Sequence, residues 1–126
     1  MQDQEARKIL EDTYFEVAVQ AGTPGSARGY IRRKLSSEQR TAAAGGNCYQ
    51  KARELLDKAG NIVADEPDCR LALYAVKGFG LRNPAVVELT FTDTEVTVTA
   101  WAKEGWISQK TAQKAADAAL EKLGLA

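Results

Sequence analysis

The sequence predicts a single α+β domain, residues 1–126, with an antiparallel or mixed sheet of about four or five strands and two main helices packed on one face. Segments with alternating apolar side chains, typical of half-buried strands, are separated by turn residues. An amphipathic helix closes the chain. Helices and strands do not alternate regularly, which argues against a parallel sheet.

The first third of the chain is predicted to hold a short helix or linker segment and then strands. Residues 1–12 form that segment, with a helix from residue 3. Residues 13–21 alternate apolar and mostly polar side chains, which predicts a strand. The glycines and proline of residues 22–26 predict a loop. Residues 30–35 are expected to be an edge strand or loop, because three consecutive cations weaken the alternation.

The next predicted element is a helix from Ser36 to about Lys58. Gln39 follows Ser36 at the spacing of a capping box, and Gly60 suits the position just past a helix end. The glycine pair at residues 45–46 is unfavourable inside a helix and predicts a kink or break there.

The second half predicts three strands. Residues 69–77 are rich in Leu, Tyr and Val and lead into a loop over residues 78–84. Residues 86–92 and 95–102 each place apolar side chains at alternate positions, which predicts a hairpin with its turn at Asp93 and Thr94.

The last element is a helix running from about Ser108, its predicted N-cap, to Leu123, with Gly124 as its stop. Small and apolar side chains recur at i, i+3, i+4, i+7, i+8 and i+11, which places them on one face. They are Ala112, Ala115, Ala116, Ala119, Leu120 and Leu123. The alanines predict that this helix lies close against its sheet.

Composition narrows the function classes. The chain has no histidine, which excludes Ser-His-Asp and Cys-His catalysis, and its two cysteines cannot complete a structural zinc site. Seventeen basic and seventeen acidic residues cancel, which argues against a general polyanion binder. We therefore expect a non-enzymatic domain without cofactor or metal, and a carboxylate-based enzyme is the least favoured alternative.

The sequence is compatible with two cellular locations. No stretch approaches the ~20 apolar residues that span a bilayer, and residues 1–5 are too polar for a signal peptide. The protein is either cytoplasmic or an envelope domain whose signal was removed. In an oxidising compartment Cys48 and Cys69 could pair and close a loop of about 20 residues. In a reducing compartment we expect two buried cysteines that act as small apolar residues.

The candidate binding residues fall into three groups. Residues 25–34 combine cations with an aromatic ring and suit phosphates, a lipid headgroup or RNA, or else form a solvated edge. Residues 77–84 form either a binding loop or a strand connection. Two tryptophans near a strand end are either partner anchors or cover for the last helix. The candidates are Arg28, Tyr30, Arg32, Arg33, Lys34, Phe79, Arg82, Trp101 and Trp106.

The last helix, Ser108 to Leu120, resembles the closing helix of double-stranded-RNA-binding domains, which follows a three-stranded sheet. Lys110 and Lys114 match part of that family's phosphate-binding lysine cluster. The resemblance implies nucleic-acid binding.

A second resemblance covers more of the chain. A strand, a glycine-bearing basic segment and an Ala-containing helix over Arg40 to Leu56 are similar to small exported bacterial lipoprotein domains, in which an Arg/Ala-rich helix packs on a sheet. That resemblance implies a periplasmic or surface-facing domain without catalysis, and it fits a Cys48–Cys69 bridge.

Our leading hypothesis from sequence is an exported, non-enzymatic lipoprotein body that binds another protein. The alternative is a phosphate- or nucleic-acid-binding module that uses Arg28, Arg32, Arg33 and Lys34.

Overall fold

The computed structural model describes residues 1–125. Over that range the chain forms four α-helices, one turn of 3₁₀ helix at Lys77–Phe79, and five strands. In chain order they are α1 Asp3–Gln20, α2 Ser26–Ile31, β1 Lys34–Ala43, α3 Cys48–Asp57, β2 Asn61–Glu66, β3 Arg70–Ala75, β4 Ala85–Phe91, β5 Glu95–Glu104 and α4 Thr111–Lys122.

The five strands form one sheet in the order β1-β5-β4-β3-β2, with every neighbouring pair antiparallel. The predicted α+β class is confirmed, and the sheet is antiparallel rather than mixed. The longest pairing joins β1 to β5 over ten residue pairs, from Lys34↔Glu104 to Ala43↔Glu95.

Helices α3 and α4 pack on one face of the sheet and cover the main core. The predicted stripe of α4 is confirmed, because all six of its Ala and Leu positions are buried. Alanine side chains let the helix backbone approach the strands closely. The core residues opposite, from β3, β4 and β5, include Leu71, Leu73, Val87, Leu89, Val96 and Val98.

Helices α1 and α2 cover the opposite face with a smaller core of Ala6, Leu10, Tyr30, Val86 and Trp101. The ring of Tyr30 stacks on that of Tyr14 with centroids 4.0 Å apart. The predicted pair of helices on one face is therefore present as α3 and α4, and the second face has a helical layer of its own.

The predicted strand over residues 13–21 is wrong, because α1 continues to Gln20. The alternating apolar residues are about half exposed there: Phe15 is 50%, Val17 57% and Val19 48% exposed. A helix needs only one buried side at this point, which Ala18 supplies. The period-two pattern thus marks exposed apolar side chains and no buried strand face.

The predictions over residues 30–58 are also corrected. Residues 26–31 form α2, and the predicted helix from Ser36 begins instead as β1, which runs to Ala43. The helix itself, α3, begins at Cys48, and the glycines at 45 and 46 lie in the preceding loop. Ten residue pairs with β5 override the local capping-box pattern. Gly60 precedes β2, a strand that the sequence did not predict.

The strands predicted from residue 69 onward are confirmed as β3, β4 and β5, and Gly105 follows the last of them. The connection after β3 is held tightly. A Cβ at Gly78 would lie 2.0 Å from the backbone oxygen of Ala59, so only glycine fits.

Candidate functional site

Two adjoining cavities meet around the segment that follows β5, and we call them together the Trp106 groove. One has a volume of about 420 Å³ and the other about 350 Å³. They share Arg33, Gly105 and Trp106. The first is also lined by Gly29, Arg32, Lys34 and Glu104, and the second by Arg82, Asn83, Ile107 and Gln109.

The apolar part of the groove is unusually exposed. The side chain of Trp106 is fully accessible to solvent, and that of Ile107 is 74% exposed. Adjoining exposed apolar side chains that are bordered by polar residues are typical of interaction surfaces. Trp106 was a sequence candidate, whereas Ile107 was missed, although two consecutive large apolar residues between a strand end and a helix start were visible.

The cations of the groove have no ion-pair partner within residues 1–125: Arg32, Arg33, Lys34 and Arg82. In contrast, Arg40, Arg53 and Arg70 each contact two or three carboxylates. The groove therefore carries positive charge that the described part of the protein does not neutralise.

Arg33 lies at the junction of the two cavities. Its guanidinium carbon is 5.7 Å from the ring centroid of Tyr30, a cation–π distance. A Cβ added to Gly105 would lie 3.4 Å from its Nε, so the arginine packs against the glycine backbone. Tyr30 itself is buried, and burial raises the pKa of its phenol. The buried ring of Tyr30 therefore contacts Arg33 from the protein interior and helps to hold its guanidinium in the groove.

Among the described residues that line the groove, Glu104 is the carboxylate, and its side chain contacts the start of helix α4. It accepts hydrogen bonds from the backbone N–H of Thr111 at 2.8 Å and of Gln109 at 3.1 Å. Its carboxylate therefore caps α4, whereas Ser108, the predicted cap, accepts from the N–H of Lys110, before the helix, at 3.2 Å. Its negative charge is directed at the helix N-terminus.

The residue before Glu104 connects the two walls of the groove. Lys103 is fully buried, and its Nζ donates to the carboxylate of Glu11 and, at 2.8 Å, to the carbonyl of Ile31. Ile31 directly precedes the cationic run. The hydrogen bond to Ile31 therefore holds the end of β5 to the end of α2, and the ion pair with Glu11 holds the same lysine to α1.

The structure brings together five of the nine candidate binding residues: Arg32, Arg33, Lys34, Arg82 and Trp106. Arg28 is exposed on α2 and lines neither cavity. Phe79 and Trp101 are 6% and 3% exposed and belong to the two cores, so their assignment to a binding surface is corrected. Indole Nε1 of Trp101 donates to Asp3 at 2.9 Å.

The disulfide candidates lie at the other end of the sheet. Both are free thiols in this structure, with Cys48 half-buried at the start of α3 and Cys69 exposed. Cys48 lines a cavity of about 350 Å³ with Tyr49, Asp68 and Phe91. Cys69 is close by, since its carbonyl accepts from the N–H of Phe91 at 2.9 Å.

Acidic residues near that cavity are used in contacts within the protein. The phenol of Tyr49 and the guanidinium of Arg53 both donate to Asp65, and together they hold the pKa of that carboxyl below its usual value. Over residues 1–125, no cluster of three or more Cys, Asp or Glu side chains has an arrangement that could bind a metal ion.

None of the helices described here is long and apolar enough to cross a bilayer. Comparison of the chain with protein-family models, curated proteins and solved structures finds no match.

Proposed function

We propose that this chain is a non-enzymatic protein-binding domain that receives an acidic, apolar-tipped segment of a partner in the Trp106 groove. The observation that carries the proposal is the full exposure of Trp106 among cations that have no ion-pair partner within residues 1–125. Tryptophan and arginine are the residue types most enriched at the energetic centres of protein interfaces.

The partner chemistry follows from charge and shape. Arg33 adjoins both cavities, with Lys34 on one side and Arg82 on the other, so a carboxylate can be bound on either side of the indole. The neighbouring Ile107 extends the apolar surface. An aromatic or aliphatic side chain flanked by Asp or Glu complements this arrangement. The buried Lys103 contacts hold both walls in place before binding, which lowers the ordering cost.

A phosphate-binding function is the second candidate, because Arg32, Arg33 and Lys34 line a single cavity. Single-stranded nucleic acids also bind where cations surround an aromatic ring on which a base stacks. Exposed Ile107 favours the protein segment, since an aliphatic side chain adds nothing to phosphate recognition.

The test is a selection from arrays of short random peptides, with labelled oligothymidylate measured in parallel. We expect peptides with Asp or Glu around an apolar residue to be selected, and binding to be lost in Trp106→Ala and Arg33→Ala. The matched controls are Phe15→Ala, an exposed aromatic on α1, and Lys58→Ala, an exposed cation after α3. Both should bind like the wild type.

Two kinds of result, one from the peptides and one from the oligonucleotide, would contradict the protein-binding proposal. One is selection of peptides without acidic enrichment, or binding that Trp106→Ala leaves intact. The other is salt-sensitive binding of oligothymidylate without any peptide binding, which would establish the phosphate function instead.

An envelope location belongs to the same proposal and rests only on the sequence resemblance to exported lipoprotein domains, because the strand of that resemblance is part of α1 in the structure. Of the segment that carries the resemblance, residues 52–56 lie on α3 against the sheet, whereas residues 40–43 belong to β1. Sequencing the gene upstream of the Met1 codon tests it. A signal sequence with a lipobox cysteine supports export, and its absence rules out the lipoprotein.

A further inference from the structure

Strand β1 is an outer strand of the sheet with a long, regular open edge. It pairs with β5 over ten consecutive residues without a register shift. Within residues 1–125, no backbone hydrogen bond joins it to any segment other than β5. Such an edge exposes a row of N–H and C=O groups that can pair with another strand.

The opposite edge of the sheet is protected. Strand β2 has six residues, and its pairing with β3 shifts register between Ile62 and Ala64. It ends in the acidic pair Asp65 and Glu66, and Pro67 follows. Short length, a bulge, charge and a nearby proline are the features by which edge strands avoid pairing. Strand β1 is longer and contains neither proline nor bulge.

The sequence of β1 is complementary to itself. In an antiparallel pair of two copies centred on Gln39, the Glu38 of each copy lies opposite Arg40 of the other, and Ser37 lies opposite Thr41. No like charges face each other in this register. Opposite charges across neighbouring strands stabilise the pair, and the two-fold symmetry makes the contact twice.

We propose that β1 is a dimerisation edge, on which the β1 strand of a second copy of this chain pairs antiparallel around Gln39. The Gln39 side chain is exposed, and its only polar side-chain contact within the described residues is with the hydroxyl of Thr99 at 3.2 Å. Its backbone carbonyl accepts from the Arg40 side chain at 3.1 Å. In the single chain Arg40 pairs with Glu38 of its own strand at 2.9 Å and with Asp117 at 3.3 Å. In the dimer it exchanges its own Glu38 for Glu38 of the second copy, and the Gln39 carbonyl accepts a backbone N–H.

The dimer joins two five-stranded sheets into one continuous sheet. Each Trp106 groove begins beside Lys34, the first residue of β1. At about 3.3 Å per residue, the two grooves would lie ~33 Å apart at opposite ends of the new strand pair. The proposal is independent of what the grooves bind.

Sedimentation velocity over a range of protein concentrations tests the dimer. The wild type should reach twice the 13.7 kDa mass of one chain as concentration rises. Gln39→Lys places two lysines opposite each other at the symmetry axis and should weaken association about tenfold. The matched control is Val63→Lys on the other edge, which should associate like the wild type. A monomeric wild type at all concentrations overturns the proposal, as does a dimer that both lysine variants weaken equally.

Cysteine crosslinking then tests the register, in a Cys48→Ser, Cys69→Ser background. Gln39→Cys lies on the symmetry axis and should form an intermolecular disulfide on mild oxidation, because facing residues are ~5.5 Å apart between Cα atoms. Thr41→Cys is separated from its own copy by four residue steps and should stay reduced. Equal crosslinking of both variants, or crosslinking at Thr41→Cys alone, contradicts the register. Circular dichroism identifies any variant that does not fold.

Discussion

The Nζ of Lys103 donates to the carboxylate of Glu11 from a side chain that has no exposed surface, which joins β5 to α1 through a buried ion pair. Glu11 retains 23% of its side-chain exposure, so the pair lies at the inner edge of the helical layer. Removing one partner leaves a buried ammonium with a single carbonyl acceptor, that of Ile31.

Glu11→Ala should therefore lower the free energy of unfolding by about 3 kcal/mol, the lower end of the range for a broken buried pair. Urea denaturation measures it. The double variant Glu11→Leu, Lys103→Met removes both charges and should recover most of the loss. A single variant as stable as the wild type would show that the pair contributes nothing to stability.

Tyr30→Phe should raise the free energy of unfolding by about 1 kcal/mol. The Tyr30 hydroxyl is buried and has no hydrogen-bond partner in the described residues, and such a group is costly. The phenylalanine ring keeps the stacking on Tyr14 and the contact with Arg33. Thermal unfolding of both proteins gives the comparison, and a destabilised Tyr30→Phe would mean that the hydroxyl has a partner in solution.

Glu104→Ala should cost about 1 kcal/mol of stability, the usual effect of removing a helix cap. The reason is that Glu104 accepts from the N–H of Thr111, the first residue of α4, and from that of Gln109 two residues before it. The matched control is Ser108→Ala, since Ser108 accepts one N–H before the helix begins and should cost less. Chemical denaturation separates the two. A larger loss from Ser108→Ala would identify the serine as the main cap.

Stability should fall at high pH through Tyr74. Burial, together with the nearby Tyr14, raises the pKa of Tyr74 to about 12. An unfolded tyrosine has a pKa of about 10. The contribution of Tyr74 to the free energy of unfolding is therefore complete below pH ~10 and is lost as pH rises through the pKa of the folded protein. Denaturation at several alkaline pH values should show a steeper loss in the wild type than in Tyr74→Phe. Parallel curves would contradict the shift.

The two thiols should react at different rates with a disulfide reagent. Cys69 is exposed, whereas Cys48 is half-buried and burial raises the pKa of its thiol, so less of the reactive thiolate is present at neutral pH. We expect a fast phase from Cys69 and a slow phase from Cys48 that quickens as pH rises. Cys48→Ser should retain the fast phase alone. Two free thiols in an oxidised preparation would also refute a Cys48–Cys69 bridge.

Parts of the fold could be predicted because they depend on nearby residues. The stripe of α4 and the β4–β5 hairpin are visible as periodic patterns within a single segment. The segment at residues 36–43 could not be assigned in this way, because its conformation depends on β5, far along the chain. The strand predicted over residues 13–21 was wrong for a different reason. Its alternating apolar residues are about half exposed on α1 and do not mark a buried strand face.

The candidate site shows the same difference between what local sequence predicts and what depends on distant contacts. The residue types needed for the groove, a tryptophan and arginines, could be named individually from the sequence, whereas the lack of ion-pair partners for those arginines within residues 1–125 is seen only in the structure. The capping role of Glu104 and the burial of Lys103 could not be predicted, because both are defined by contacts with α4 and α1.

Local sequence patterns are enough to predict the α+β class, the three later strands and the closing helix, and the composition excludes histidine chemistry. The exposure of Trp106, the burial of Trp101 and the position of Arg33 and Arg82 at one cavity are seen only once the chain is folded. Periodicity reports the local environment of a segment. Which side chains are exposed, and which charges lie close together, depend on which segments are neighbours in the sheet. Pairing between strands that are distant in the sequence determines those neighbours.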